Sequence, residues 1–96
     1  MLAITRFQDP GPDFEQRVTR IVEFWRGREG CIRMELVRNL DDEELWAIVS
    51  EWRSVGDYRR SFQGYEAKMV LTEVLLLAVD EPSAYLLPEQ FSSPLG

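Results

Sequence analysis

Histidine is missing altogether, and cysteine occurs once. The first absence removes the side chain that most often serves as a general base near neutral pH and as a metal ligand. Ser-His-Asp and Cys-His relays are excluded within one chain, as are zinc sites built from His and Cys, and no metal site is expected. The lone Cys31 cannot close a disulfide within the chain. It fits a reducing compartment, and the cytoplasm is the expected location. Long apolar runs are lacking too. The longest, Val74 to Val79, stops far short of the roughly 20 helical residues that cross a bilayer. No basic segment followed by an apolar one opens the chain, so no export signal is expected. Positive charge is in deficit: the net charge is −6 and the sequence pI about 4.6. Such a surface repels phosphate, which argues against nucleic acid and anionic membrane as partners.

What is present suits one small soluble domain. A chain of 96 residues allows a single core and leaves folding marginal, so burying more surface against a second copy is an advantage. With 45% apolar and 29% charged residues, the composition is globular rather than disordered. The expected domain covers residues 1–89, with residues 90–96 as a flexible tail.

Residues 2–8 are rich in strand formers, and Asp9-Pro10-Gly11-Pro12 then breaks the chain. Asp13 is a candidate N-cap, with Gln16 placed to complete a capping box. Phe14, Val18, Ile21, Val22 and Trp25 follow at i, i+4, i+7, i+8 and i+11, one apolar face of a helix that stops at Gly27 and Gly30. Residues 31–39 alternate, with Ile32, Met34 and Leu36 on one side and Arg33, Glu35 and Val37 on the other. Asn39 to Asp42 reads as a turn. The acids Asp41 to Glu44 lack the spacing of a calcium loop. In residues 44–52, Trp46, Ile48, Ser50 and Trp52 share one face and Leu45, Ala47, Val49 and Glu51 the other. Apolar groups on both faces predict a sheet covered on both sides.

Ser54 is placed to cap a second helix, whose apolar stripe runs Tyr58, Phe62, Tyr65 and Met69 and resumes through Leu71, Val74, Leu75 and Ala78. Gly64 interrupts it as a kink or as a break into two pieces. Asp80-Glu81-Pro82 ends the helix, and 84–88 reads as a short last strand. The order β-α-β-β-α-β predicts an α+β fold: a ferredoxin-like antiparallel sheet with its helices on one face.

Aromatic residues are the main functional signal. Phe7, Trp25, Trp46, Phe62 and Tyr65, with Met34 beside them, are the candidate ligand-pocket residues; Trp52 and Tyr58 are the candidate catalytic pair. Two readings stand. Such stripes pack a core, or they line a partly open pocket in which the polar tips of Trp and Tyr meet a flat, oxygenated ligand. Arg59 and Arg60, at the start of the second helix, either attract an anion or form surface ion pairs of little consequence. Cys31 has no neighbouring histidine to activate it and reads as a small hydrophobe.

Several segments in order carry a resemblance: Gly30-Cys31, Leu45-Trp46 through Glu51-Trp52, Ser54-Val55-Gly56-Asp57-Tyr58-Arg59-Arg60, Tyr65-Glu66-Ala67-Lys68-Met69 and Asp80-Glu81-Pro82-Ser83-Ala84-Tyr85. Over roughly residues 1 to 89 the chain resembles the antibiotic biosynthesis monooxygenase-like family of the dimeric α+β barrel superfamily, in its actinobacterial branch. The resemblance implies a homodimer whose sheets face each other, with a cavity between sheet and helices in each subunit. It implies oxygenation of a small phenolic or polycyclic aromatic molecule by O2 with no cofactor: no metal, flavin or haem. The substrate loses a proton, its anion reduces O2, and the protein positions and stabilises that anion. Trp52 matches the family's Trp at the end of the third strand, implying a donor role for its indole N–H. Tyr58, six residues on, matches a Tyr implied to donate or relay a proton. Ile48 stands where that pattern has Asn, four residues before the Trp, and the pattern's Arg further on has no clear match. A non-catalytic homodimeric module that binds a small molecule or serves a stress response is the alternative. A haem-handling protein would need Tyr or Cys31 as axial ligand.

Overall fold

The computed structural model describes residues 1–91. In chain order it holds β1 (Leu2–Gln8), α1 (Phe14–Arg26), β2 (Cys31–Arg38), β3 (Leu45–Trp52), α2 (Val55–Arg60), α3 (Tyr65–Leu77), β4 (Ala84–Tyr85) and α4 (Pro88–Phe91). The four strands form one sheet in the order β2-β3-β1-β4, with every pair antiparallel. Each helical crossover skips one strand, which interlocks two split βαβ units as the strand and helix order predicts.

Helix α1 buries the stripe read from its sequence: Phe14, Val18, Ile21, Val22 and Trp25. Burying each such side chain is worth about 1.5–3 kcal/mol, which fixes this face of α1 on the sheet. Asp13 is the N-cap residue, but its side chain makes no cap bond, so the predicted capping box is not formed. With φ −95° and ψ 7°, Asp13 is not in the extended conformation that aims a capping oxygen at the first turn.

On the helix side of the sheet lie Ala3, Thr5 and Phe7 of β1 and Ile48, Ser50 and Trp52 of β3, all buried. On β2 the predicted alternation fails at one place. Ile32 is 61% exposed, because Cys31 pairs with Trp52 and Arg33 with Glu51, leaving Ile32 as the extra residue of a bulge. Met34 and Leu36 keep the core side. The other face of the sheet carries Leu2, Ile4, Val37, Leu45, Ala47 and Val49, none of them buried.

Gly64 breaks the second helical region into α2 and α3. It takes φ +96°, which is open to glycine at little cost. After this break the helix is rotated. Ala67, Leu71 and Val74 are buried, while Tyr65 and Met69, expected on the buried stripe, are 81% and 65% exposed. The last strand is two residues long rather than five. Pro88 lacks the N–H to continue a ladder and instead opens the turn of α4. The segment expected to be a flexible tail therefore has Gln90 and Phe91 in α4, and its remainder lies outside the described residues.

Candidate functional site

Four rings meet where β3 ends and α2 begins. Trp52 lies 5.7 Å from Tyr58 and 6.2 Å from Trp25, centroid to centroid, and Phe62 stands 5.2 Å from Tyr58 and 5.4 Å from Trp25. The Trp52–Tyr58 and Tyr58–Phe62 contacts are edge-to-face, the arrangement favoured by ring quadrupoles. A second cluster of Phe7, Phe14 and Trp46 sits at the far end of the core. The pocket residues read from the sequence are thus divided. Phe7, Trp25 and Met34 are 1% exposed or less and pack the core. Trp46 is half-buried at the other end, under the Arg38 guanidinium 4.7 Å above its ring. Phe62 is itself one of the four rings, and Tyr65 is exposed to solvent away from them.

The two candidate catalytic residues differ in access. Trp52 is 1% exposed, and its Nε1–H donates to Ser50 Oγ at 2.9 Å. Trp25 Nε1–H likewise donates to Ser61 Oγ at 2.9 Å, and Ser61 donates onward to the carbonyl of Tyr58. Both indole donors are spent inside the protein. Tyr58 is half-buried and lines a cavity of about 350 Å³ between the edge of β1, the end of α3 and the return through residues 78–83. Its neighbours there include Ile4, Thr5, Leu75, Ala78 and Val79. Thr5 is the residue that sequence reasoning missed: it is only 7% exposed and lines the same cavity. Its signal was faint, because a Thr inside a strand is ordinary. Ile48, on the neighbouring strand opposite Thr5, is fully buried.

Charge around this cavity is ordered. Arg6 clasps Glu81 with two hydrogen bonds, Nε to Oε2 at 2.7 Å and Nη2 to Oε1 at 2.6 Å. The bond and charge of Arg6 hold the Glu81 carboxyl below its usual range. Asp80 also lines the wall.

Directly behind Tyr58, Asp57 is 3% exposed. Its carboxylate accepts from Arg53 Nε at 2.8 Å, Arg60 Nη2 at 2.7 Å and Ser54 Oγ at 3.1 Å. Hydrogen bonds from Arg53 and Arg60 hold its carboxyl well below the ordinary carboxylate range. Ser54 caps α2 as expected, its Oγ accepting from Asp57 N–H. This knot fixes the backbone that carries Tyr58, and it neutralises Arg60 as a candidate anion ligand. Gly30 is seated against the knot. A Cβ there would lie 2.4 Å from Asp57 Cβ.

The remaining candidates are placed as follows. Burial pushes the Cys31 thiol up, away from thiolate chemistry. The acidic turn is organised by Asn39, whose Oδ1 accepts from Asp41 and Asp42 N–H. Among the described residues no cluster of His, Cys, Asp and Glu is arranged to hold a metal, and no helix is long and apolar enough to cross a membrane.

The family model described as antibiotic biosynthesis monooxygenase matches residues 7–70. Among solved structures, a mutant of SnoaB, a cofactor-independent oxygenase from Streptomyces nogalater, superposes with a TM-score of 0.71 at 22% identity, covering 91% of this chain and 95% of that one. A conserved protein from Methanosarcina mazei gives 0.67 at 17% identity, over 86% of this chain and 84% of that one. Rv0793 from Mycobacterium tuberculosis gives 0.65 at 17% identity, over 86% of each. At these identities the likeness is one of fold. No curated protein matches the chain in sequence.

Proposed function

Because the chain belongs to the antibiotic biosynthesis monooxygenase family, we propose that it is a cofactor-free monooxygenase that oxygenates a small phenol-type aromatic molecule with O2 in the cavity beside Tyr58. The observation that carries this reading is the half-buried Tyr58 on the wall of a 350 Å³ cavity with apolar flanks. The fold likeness to a cofactor-independent oxygenase supports it. In an anthrone-type substrate the ring CH2 loses a proton, and the resulting anion gives up electrons to O2. One oxygen atom ends as the ring carbonyl and the other leaves as water, so CH2 and O2 become C=O and H2O. The protein's share is to hold the ring, keep water away and stabilise the oxyanion. Tyr58 O–H is the donor to that oxyanion. Trp52, whose own N–H is engaged by Ser50, serves as the rigid wall that sets the Tyr58 ring.

The same reading takes the working form to be a cytoplasmic homodimer joined across the bare sheet face, with the apolar residues of β1, β2 and β3 against their copies. O2 uptake with anthrone- and quinol-type compounds tests the activity. Turnover is expected in the wild type, with a loss of about 10²-fold or more in kcat for Tyr58→Phe, the scale seen when one oxyanion donor is removed. The absence of any uptake, or a Tyr58→Phe variant as fast as wild type, sinks it.

One departure favours a second reading. Ile48 fills a position where the pattern has a polar Asn, and it is 1% exposed. With Trp52 also committed, the cavity holds fewer donors than the catalytic pattern implies. A dimeric module that binds a small aromatic molecule or serves a stress response fits this arrangement, and saturable binding without O2 uptake would favour it.

A further inference from the structure

Three hydroxyls line the cavity beside β1 without a hydrogen bond among the described residues, those of Thr5, Tyr58 and Ser83, and the first two lie against the core. Thr5 is 93% buried, on the basis of its 7% exposure, yet its Oγ1 makes no hydrogen bond among the described residues, and neither does the phenol of Tyr58. Among the described residues no side-chain polar atom fully sealed from solvent lacks a partner. The Thr5 hydroxyl is therefore reached through the cavity that both residues line. Its neighbours on the same face of β1, Ala3 and Phe7, are core residues. A valine would pack as well at position 5 and would be at home in a strand. The hydroxyl adds nothing to the fold that the structure shows.

The surroundings restrict what it can meet. Ile4, Leu75, Ala78 and Val79 supply apolar contact. The nearby charges are Asp80, Glu81 and Arg6, and Arg6 is already bound at two points by Glu81. The wall is thus negative on balance, so a ligand that arrives as a carboxylate or phosphate is repelled. At about 350 Å³ the cavity lies near the small end of the roughly 300–1,000 Å³ range of ligand sites.

We infer that Thr5 and Tyr58 form a two-hydroxyl clamp on one oxygen of a neutral phenol-type aromatic ligand. Each hydroxyl both donates and accepts, so the clamp can hold the neutral phenol on arrival and donate to its oxyanion after proton loss. The inference rests on reading this cavity as the substrate site, but not on turnover.

Calorimetric titration with 1-naphthol and with 1-naphthoate tests it. The wild type is expected to bind 1-naphthol at least tenfold more tightly than 1-naphthoate. Thr5→Val should weaken 1-naphthol about fivefold, the share of one neutral hydrogen bond, and Thr5→Ser should restore it to within about twofold, as expected where the hydroxyl is what matters. Thermal unfolding of both variants separates loss of fold from loss of the bond. The clamp is overturned if 1-naphthol shows no saturable binding, if Thr5→Val binds it as wild type does, or if 1-naphthoate binds equally well. O2 uptake is read separately. Thr5-dependent binding without uptake removes the oxygenase and leaves the clamp; turnover indifferent to Thr5→Val does the reverse.

Discussion

Asp57 carries more of the site's order than either residue of the aromatic pair. It collects Arg53, Arg60 and Ser54 on one buried carboxylate, immediately before Tyr58. Its folded-state pKa lies below the unfolded value. The stability it contributes is therefore fully present above the unfolded pKa of roughly 4, and it is lost as pH falls through the lower folded value. Denaturant midpoints measured from pH 7 down to pH 2 should fall steeply below about pH 4, and Asp57→Asn should flatten that part of the curve while lowering stability at pH 7. An unchanged acid limb would show that the knot does not couple to folding. The sequence showed Trp52 and Tyr58 as neighbours across a strand–helix junction, and the structure brings them into contact. It did not show that Ser50 takes the Trp52 N–H, because that depends on a rotamer. Thr5 was equally silent, since only the cavity distinguishes its hydroxyl from that of any strand threonine.

At the scale of elements, Gly30 and Gly64, two of the three glycines with positive φ among the described residues, divide the work of turning the chain. Gly30 takes φ +85° and Gly64 φ +96°. An alanine at either position meets a backbone penalty, on the order of 1–3 kcal/mol for such sparsely populated conformations. Beyond that they differ. Nothing lies within 4 Å of a Cβ at Gly64, whereas at Gly30 the Asp57 side chain occupies the space. Thermal or denaturant unfolding should show Gly64→Ala costing about 1–3 kcal/mol and Gly30→Ala costing at least about 1 kcal/mol more, from overpacking. Equal losses would mean that Asp57 swings clear without penalty. This contrast explains what was legible in the elements. Gly64 was readable as an interruption, but the rotation it imposes was not, so Tyr65 and Met69 were assigned to a stripe that α3 turns outward. Ile32 failed for a related reason. Alternation assumes a strict period of two, and one extra residue at a bulge reverses the side. The period survives on α1 and on β3, where nothing is inserted, and those are the elements whose buried residues were read correctly.

Taken whole, the molecule is a slab of 45 × 34 × 21 Å, with α1 and α2 packed on the sheet and much of the face away from its core left exposed among the described residues. The bare face presents Leu2 and Val37 at 44% and 42% exposure and Val49 at 36%, with Ile4, Leu45 and Ala47 between them. Both sides of β3 were legible as apolar from the alternation alone. What covers the outer side is a question for the proposed dimer. A stable interface buries about 800 Å² per partner, and a face of this breadth can supply it. Val49 sits near the centre, paired to Ile4 on one side and Glu35 on the other. A glutamate at this position would bring two carboxylates together on that face, with copies of both across a two-fold axis. Burying such like charges unpaired costs several kcal/mol. Within one subunit the site is exposed, so the substitution should leave the monomer folded. Sedimentation at micromolar concentration is expected to show a dimer for the wild type and a folded monomer for Val49→Glu, with the far-ultraviolet spectrum unchanged. A wild type that sediments as a single subunit would remove the dimer from the proposed function.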